Sequence, residues 1–414
     1  MTPARLVVAA AWLLLGCNVT AASTTGGVDL PERGACPRGT AVVSSDFQSS
    51  EIALLDPAGS VKSPAFLSSA STAATDLAAP LSGDIGVASA RSRPGELVVI
   101  DRFGTNVLSF VDTKTVVVRA QLPIGTGFEA NPQDYLELNE HQALVPRLGE
   151  NASPGREPFD TGSDLLVVDP SIPAIVDAWP MPRKDGYLPN PVAVTQLRGD
   201  VLVTLHHARA NFSGMAEGEL VAFSTADQAL RYRLPLSGLV NCGRAEPSPS
   251  GEVLAVACSA FLDRKGAVAE PETSGLVLLD ARLDPPVELE RFRALDLVGG
   301  PIQSGVEFVS EGALLFKTQT ALGAGHDNQL FLLDLASGAT TLLATAARAE
   351  GGLGFGIAFG GMSCQADCGD PCLVADRSRG QLLRFRVQGS QLLADDAVVL
   401  DGAGLPPADV TPFW

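Results

Sequence analysis

The sequence is poor in basic residues and lacks the common catalytic motifs. Its 414 residues include 29 lysines and arginines against 47 aspartates and glutamates, which gives a formal net charge of −18. An acidic surface repels phosphate backbones, so nucleic acid is not expected as a partner. There is no G-x-S-x-G, H-E-x-x-H or Walker motif, and no Cys-x-x-Cys-His motif for covalent haem. An enzyme whose site is assembled from residues distant in the sequence is still compatible with these absences.

Helical periodicity is also scarce, and a strand-like repeat takes its place. Three strand-forming residues and a polar one recur seven times, as in Ser109-Phe110-Val111-Asp112. The polar residues are Asp56, Asp112, Asp169, Ser224, Asp280, Asp334 and Gln388, at steps of 56, 57, 55, 56, 54 and 54 residues. This spacing predicts an all-β fold, a seven-bladed β-propeller with four-stranded antiparallel blades. Because blade one lacks an inner strand, the C-terminal segment Asp409–Trp414 is predicted to supply it and close the ring.

The N-terminus has the features of a secretory signal. Arg5 precedes a short apolar run that ends at Gly16, too short for a permanent membrane span. The segment Leu14-Leu15-Gly16-Cys17 resembles a bacterial lipobox, which implies cleavage before Cys17 and its lipidation. Asn18 after it resembles outer-membrane lipoproteins. An ordinary signal peptide with an incidental cysteine is the alternative.

The predicted organisation has three parts. Residues 1–16 form the lipoprotein signal peptide, residues 17–39 a lipid-anchored flexible tether, and residues 40–414 the propeller. The non-periodic part of the tether, residues 18–35, has a root-mean-square reach of roughly 25 Å. The ring would therefore lie just off a membrane of the bacterial cell envelope, as a monomer.

Four adjacent blades have long connections between their second and third strands. With the strands of a blade lettered a to d from the centre outward, these b–c connections are Arg147–Gly162, His206–Gly218, Ser259–Ser274 and Thr318–Asn328. All b–c connections of a propeller emerge on one face, so the four would form a wall there. Such insertions usually mark a binding face, here for a protein or glycan partner, and neutral loop growth is the alternative.

Six cysteines remain besides Cys17, an even number that predicts three disulfides in an exported protein. Cys242 and Cys258 flank a turn symmetrically, which places them opposite each other on an a–b hairpin. Cys36 is expected to pair with one of Cys364, Cys368 and Cys372, and the other two with each other. A metal site at these cysteines is the alternative, but the spacing lacks Cys-x2-Cys and contains no histidine.

Three of the four histidines lie near predicted insertions. His206 or His207 in blade four could converge with His326 and Asp327 of blade six above the central channel and bind a divalent cation. Solvated polar loop residues are the alternative. We assign no cofactor from the sequence, and a divalent cation is the single alternative that remains compatible with it.

The strand pattern resembles a known group. Asn131-Pro132 and Asn190-Pro191 precede inner strands, and glycine-bearing turns and Val/Leu strands follow. Over residues 40–414 this resembles the YVTN/YncE-like, lactonase-like seven-bladed propellers, which implies a ring in the cell envelope, often without known catalysis. Two hypotheses follow. One is a lipid-anchored binding or scaffold module that uses the wall of blades three to six. The other is a metal-dependent lactonase-like hydrolase or lyase with its site at the mouth of the central channel.

Overall fold

The computed structural model describes residues 35–71, 79–89, 92–263, 268–319, 327–346, 357–402 and 404–414. Its strands form seven antiparallel sheets arranged in a ring, each built on a path of four strands. The predicted seven-bladed β-propeller is therefore confirmed. The signal peptide and Cys17 lie outside the described residues, so both stay predictions.

The strands of each blade are given from the innermost to the outermost. Blade one contains Pro407–Phe413, Gly39–Ser45, Ser50–Leu55 and Val61–Ser68, and blade two Ile85–Val87, Glu96–Asp101, Val107–Asp112 and Val118–Pro123. Blade three contains Leu136–Asn139, Gln142–Glu150, Gly162–Asp169 and Ala174–Pro180, and blade four Pro191–Leu197, Asp200–Leu205, Glu219–Ser224 and Leu230–Pro235. Blade five contains Glu246–Pro247, Val253–Leu262, Val268–Asp280 and Val287–Arg293, followed by the short helix Ala294–Val298. Blade six contains Ile302–Ser310, Ala313–Thr318, Asn328–Asp334 and Thr340–Ala346. Blade seven contains Phe359–Ser363, Cys372–Asp376, Gln381–Gln388 and Gln391–Ala394, and Val398–Val399 also pairs with its third strand.

The repeated phrase is the third strand of the blade. In Val107–Asp112 every residue before the aspartate is buried, because this strand packs against neighbouring blades on both faces. Asp112 ends the strand, and its Oδ1 accepts hydrogen bonds from the backbone N–H groups of Lys114 and Thr115 at 2.9 and 2.8 Å. The aspartate therefore stabilises the turn to the fourth strand.

The hydrophobic core is divided among the interfaces between blades. The described residues contain seven clusters of buried apolar side chains, and each cluster is shared by two neighbouring blades. The cluster that joins blades seven and one includes Val42, Leu55, Leu373 and Val410. Since each interface needs both its blades, the ring depends on the closing contact between blades seven and one.

The C-terminal strand closes the ring as the sequence predicts. Pro407–Phe413 pairs antiparallel with Gly39–Ser45, and Val42 lies opposite Val410. Pro412 is compatible with this innermost strand because the strand is an edge of its sheet, where proline is normally found. The backbone N–H of Arg38 also donates to the Phe413 carbonyl at 2.8 Å.

Some boundaries differ from the predictions. The blade-five insertion, predicted as a loop from Ser259 to Ser274, is largely an extension of the hairpin, with Leu262 opposite Val268 and a bulge after Ser259. The inner strand of this blade is only Glu246–Pro247, because Pro247 and Pro249 limit ladder pairing there. The end of the predicted tether, residues 35–39, is attached to the ring through Cys36 and through strand Gly39–Ser45.

Candidate functional site

A cavity of about 460 Å³ lies where the inner strands converge. Its lining comes from those strands and from the a–b turns of blades five and seven, including Ser248, Pro249 and Gln365. Because a–b turns emerge on the face opposite to the b–c connections, the cavity lies toward the other end of the channel from the predicted wall. No described residue of the four insertions belongs to its lining.

The structure shows where His206 and His207 lie, whereas their predicted convergence with His326 and Asp327 stays a prediction. His206 Nε2 lies 2.9 Å from the Cys242 carbonyl oxygen, and burial lowers the pKa of His206 to about 4. His207 is fully buried, with Nε2 3.0 Å from Glu219 Oε2. Asp327 is solvent-exposed, and His326 lies outside the described residues. In the described part of the chain, no group of three or more His, Cys, Asp or Glu residues is placed to hold a metal ion.

His207 belongs instead to a buried ion-pair network in blade four. Glu219 accepts hydrogen bonds from His207 and, through both oxygens, from Arg233 at 2.9 and 2.7 Å. Burial alone would raise the pKa of Glu219, but these hydrogen bonds outweigh it and lower the pKa to about 2. The network fixes the start of the third strand of this blade, and neither His206 nor His207 lines the cavity.

The blade-three insertion is held by a buried arginine. Arg147 has no exposed surface, and its guanidinium donates to both carboxylate oxygens of Asp164 at 2.8 and 2.7 Å. It also donates to Thr126 Oγ1 at 2.8 Å and to the Phe159 carbonyl at 2.6 Å. This connection is therefore pre-organised, a property that reduces the ordering cost of any binding to it.

Five acidic residues belong to the lining of the cavity. Two are Glu137 and Asp367, and the other three come from the inner strands of blades five, six and one: Glu246, Glu307 and Asp409. Glu307 Oε1 accepts a hydrogen bond from the Cys364 N–H at 2.9 Å, and Asp409 Oδ1 accepts one from the Val410 N–H at 2.9 Å. Burial raises the pKa of these last three carboxyl groups. The negative charge of Glu246 adds to the effect on Glu307, whose pKa is raised well above its ordinary range.

Arg244 is the cation of this site. Its Nη1 donates to the Ser89 carbonyl of blade two at 2.6 Å, and its Nε lies 3.4 Å from Thr195 Oγ1 of blade four. The same Nε lies 3.6 Å from Glu246 Oε2. The side chains of Arg244 and Glu246 keep 25% and 19% of their surface exposed, and both residues line the cavity.

Asp134 of blade three connects blades two and four on the other side of the channel. Its Oδ1 accepts hydrogen bonds from the Ser89 hydroxyl at 2.7 Å and from the Tyr135 N–H at 2.8 Å. Its Oδ2 accepts one from the Val194 N–H of blade four at 3.2 Å. Together with Arg244, Asp134 links blades two to five across the channel.

Glycines allow the closing strands to approach the site. A Cβ atom at Gly361 would lie 2.1 Å from Asp409 Oδ1, and one at Gly360 would lie 2.3 Å from the Ala408 carbonyl oxygen. The inner strand of blade seven can therefore lie directly against that of blade one only without side chains here.

Two disulfides lie beside the cavity on the a–b side. Cys36 is bonded to Cys368 and Cys364 to Cys372, so the predicted pairing scheme is confirmed with Cys368 as the partner of Cys36. Cys364 and Cys368 belong to the lining, as does Trp414, whose Nε1 donates to the Ala35 carbonyl at 3.2 Å. The third disulfide, between Cys242 and Cys258, is also as predicted.

Sequence analysis missed the residues of the cavity. Arg244, Glu246, Glu307 and Asp409 belong to no motif, and each comes from or directly precedes an inner strand. The available signal was the presence of charge in strands that pack around an axis, since charged side chains are rarely placed there without partners.

Comparison with known proteins supports the fold. No family model matches the chain, and no curated protein matches it. The periplasmic gluconolactonase of Pseudomonas aeruginosa is 14% identical over 90% of this chain and 98% of its own, with a TM-score of 0.54. A hypothetical selenium-binding protein from Sulfolobus tokodaii is 11% identical over 91% and 93% of the two chains, with a TM-score of 0.57. A candidate 6-phosphogluconolactonase from Bacteroides uniformis is 9% identical over 90% and 99%, with a TM-score of 0.54. Likeness at these identities extends to the propeller fold, which includes lactonase-like members.

No helix in the described part of the chain is long and apolar enough to span a membrane.

Proposed function

We propose that this protein is an extracytoplasmic propeller that binds a small polar molecule in its central cavity. The observation that carries the proposal is the set formed by Arg244, Glu246 and Glu307. Their side chains come from two adjacent blades and line one cavity, and Arg244 and Glu246 each keep part of their side-chain surface exposed. Concave sites with a few convergent polar groups and perturbed pKa values are the usual binding sites of small molecules.

The cell envelope is the proposed location. Lipidation at Cys17 and the outer membrane follow from the lipobox-like segment, and three disulfides suit an oxidising compartment. The periplasmic gluconolactonase named above has the same fold in such a compartment. Independently of the cavity, we propose that the wall of blades three to six, on the opposite face, binds a protein or glycan partner. The rigid connection around Arg147 favours this second proposal.

Binding can be tested with a panel of small polar molecules. Thermal shift of residues 35–414 against sugars, sugar acids, lactones and amines identifies candidates, and calorimetry measures their affinity. Glu246→Gln and Arg244→Met should each weaken a true ligand by roughly tenfold or more, because each removes a charged hydrogen-bonding group. Glu290→Gln, on the exposed outer strand of the same blade, should leave affinity unchanged. Binding that all three variants retain would place the ligand elsewhere and overturn the proposal.

Lactone hydrolysis is a second candidate, favoured by the two unlike glutamates. Burial and the neighbouring Glu246 keep a proton on Glu307 over a wider pH range than is usual. In this reaction the Glu246 carboxylate takes a proton from a water molecule, whose oxygen bonds to the lactone carbonyl carbon. Glu307 donates its proton to the ring oxygen as the ring C–O bond breaks, and Arg244 stabilises the charge on the carbonyl oxygen. The product is the open hydroxy acid.

The assay is proton release from glucono-δ-lactone above the spontaneous rate, across pH 5 to 9. Acid–base catalysis predicts a bell-shaped profile that loses its alkaline limb in Glu307→Gln. Binding of the lactone without any rate above background would leave the protein a binding module and exclude this second candidate.

A further inference from the structure

A buried lysine stands beside the cavity without lining it. Lys317 lies in the second strand of blade six, and only 5% of its surface is exposed. Its ammonium donates a hydrogen bond to the Gly360 carbonyl of blade seven. A buried ammonium is costly unless it has partners of opposite charge, so its surroundings require an explanation.

Two carboxylates of the cavity wall are the opposite charges that act on this ammonium. The acceptor Gly360 precedes Gly361, the residue whose missing side chain leaves room for the Asp409 carboxylate. The ammonium and Asp409 are thus placed against two consecutive residues of one strand. Glu307, on the strand paired with that of Lys317, is the second acid whose charge acts on it.

We infer that Lys317 is a positioning residue of the central cavity, whose positive charge favours the ionised forms of Glu307 and Asp409 and thereby helps to set the pH range in which the cavity accepts a ligand. The part that concerns a ligand rests on the proposed function. The part that concerns ionisation stands by itself, and the test below needs no ligand.

Lys317 affects the pKa of the two acids, and the two acids affect the pKa of Lys317. Burial lowers the pKa of Lys317 to about 8, and the charges of Asp409 and Glu307 oppose that change. Burial raises the pKa of both acids, and Lys317 opposes it in each. Other charged groups act on the same acids: Glu246 and Arg244 on Glu307, and Arg102 and Asp134 on Asp409. Lys317 differs from Arg244 in that it does not line the cavity, so its influence on a ligand passes through the carboxylates.

The experiment is an infrared titration of protonated carboxyl groups in residues 35–414, from pH 4 to 9. Glu307→Gln and Asp409→Asn identify the bands of the two acids. In Lys317→Met these bands should persist to a pH higher by roughly one unit, the least shift usual on loss of a close opposite charge. Lys317→Arg should keep the wild-type titration, and so should Lys62→Met, which removes an exposed lysine paired with Asp56 at 2.9 Å.

A reciprocal measurement keeps the inference testable even if Lys317→Met does not fold. In lysine labelled at Cε, the NMR titration of Lys317 should move to lower pH in Asp409→Asn, because coupling between two sites is mutual. Unchanged carboxyl bands in a folded Lys317→Met, or an unchanged lysine titration in Asp409→Asn, would overturn the inference. Neither result depends on a ligand, so failure here is distinct from failure of the proposed cavity function.

Discussion

Removal of the disulfide between Cys36 and Cys368 should destabilise the ring more than removal of any of the other disulfides. The bond links residues 332 positions apart and ties the N-terminal entry of blade one to blade seven. In the chain-entropy description, a loop of this length contributes about 6 kcal/mol to stability. The disulfide between Cys242 and Cys258 spans 16 positions, for which the same description gives about 3 kcal/mol.

The folded ring should survive this change. Gly39–Ser45 still pairs with Pro407–Phe413, and the Trp414 indole still donates to the Ala35 carbonyl at 3.2 Å. The loss of stability therefore arises mainly from the greater freedom of the unfolded chain.

The assay is guanidinium unfolding of Cys36→Ser/Cys368→Ser and, as the matched control, Cys242→Ser/Cys258→Ser. Mass spectrometry before unfolding confirms that the remaining disulfides are intact. The first variant should lose about twice as much free energy of unfolding as the control, and its m value should rise because the unfolded chain is less compact.

An equal or larger loss in the control would refute the reasoning from loop length. It would show that the paired closing strand, rather than the covalent link, limits opening of the ring. A first variant that is already unfolded in buffer would show that the closing strand alone cannot hold blades seven and one together.

Three further predictions follow from other groups. Because burial lowers the pKa of His206 to about 4 from an ordinary 6.5, the unfolded chain binds more protons in this window. Stability should therefore rise by up to about 3 kcal/mol from pH 4 to 6.5, and His206→Gln should remove that rise in urea midpoints measured across the window. Arg147→Met leaves Asp164 buried without its partner and should cost about 3–5 kcal/mol, whereas Arg156→Met on the exposed part of the same connection should cost almost nothing in the same unfolding assay. Since the pKa of Glu307 is raised in the folded state, the wild type loses stability as pH increases above 4.5 through that pKa, so Glu307→Gln should melt higher than wild type at pH 8 and not at pH 4; an equal gain at both pH values would contradict the assigned cause.

The architecture follows from local patterns in the sequence. A strand phrase and its turn are local, because apolar alternation and an aspartate at the strand end act within about ten residues. Because this pattern recurs every 54 to 57 residues, the number of its copies gives the number of blades. Blade one lacks an inner strand in the sequence, which predicts that the C-terminal segment supplies it and closes the ring. The disulfide between Cys242 and Cys258 could likewise be predicted locally, because the two cysteines lie opposite each other on one hairpin.

The contacts between polar residues of different blades depend on the closed ring and could not be predicted from local patterns. Arg244 and Ser89 are 155 positions apart, and their hydrogen bond exists because blades five and two both face the axis. Such a contact depends on register, and a shift of one residue would turn Glu307 from the axis into an interface between blades. The hydrogen-bond partners of the histidines were likewise not predictable from the sequence. His206 and His207 lie in a predicted insertion, but their ring nitrogens contact the Cys242 carbonyl and the Glu219 carboxylate. Periodicity specifies which residues form strands, whereas the closing of the ring specifies which side chains share the cavity.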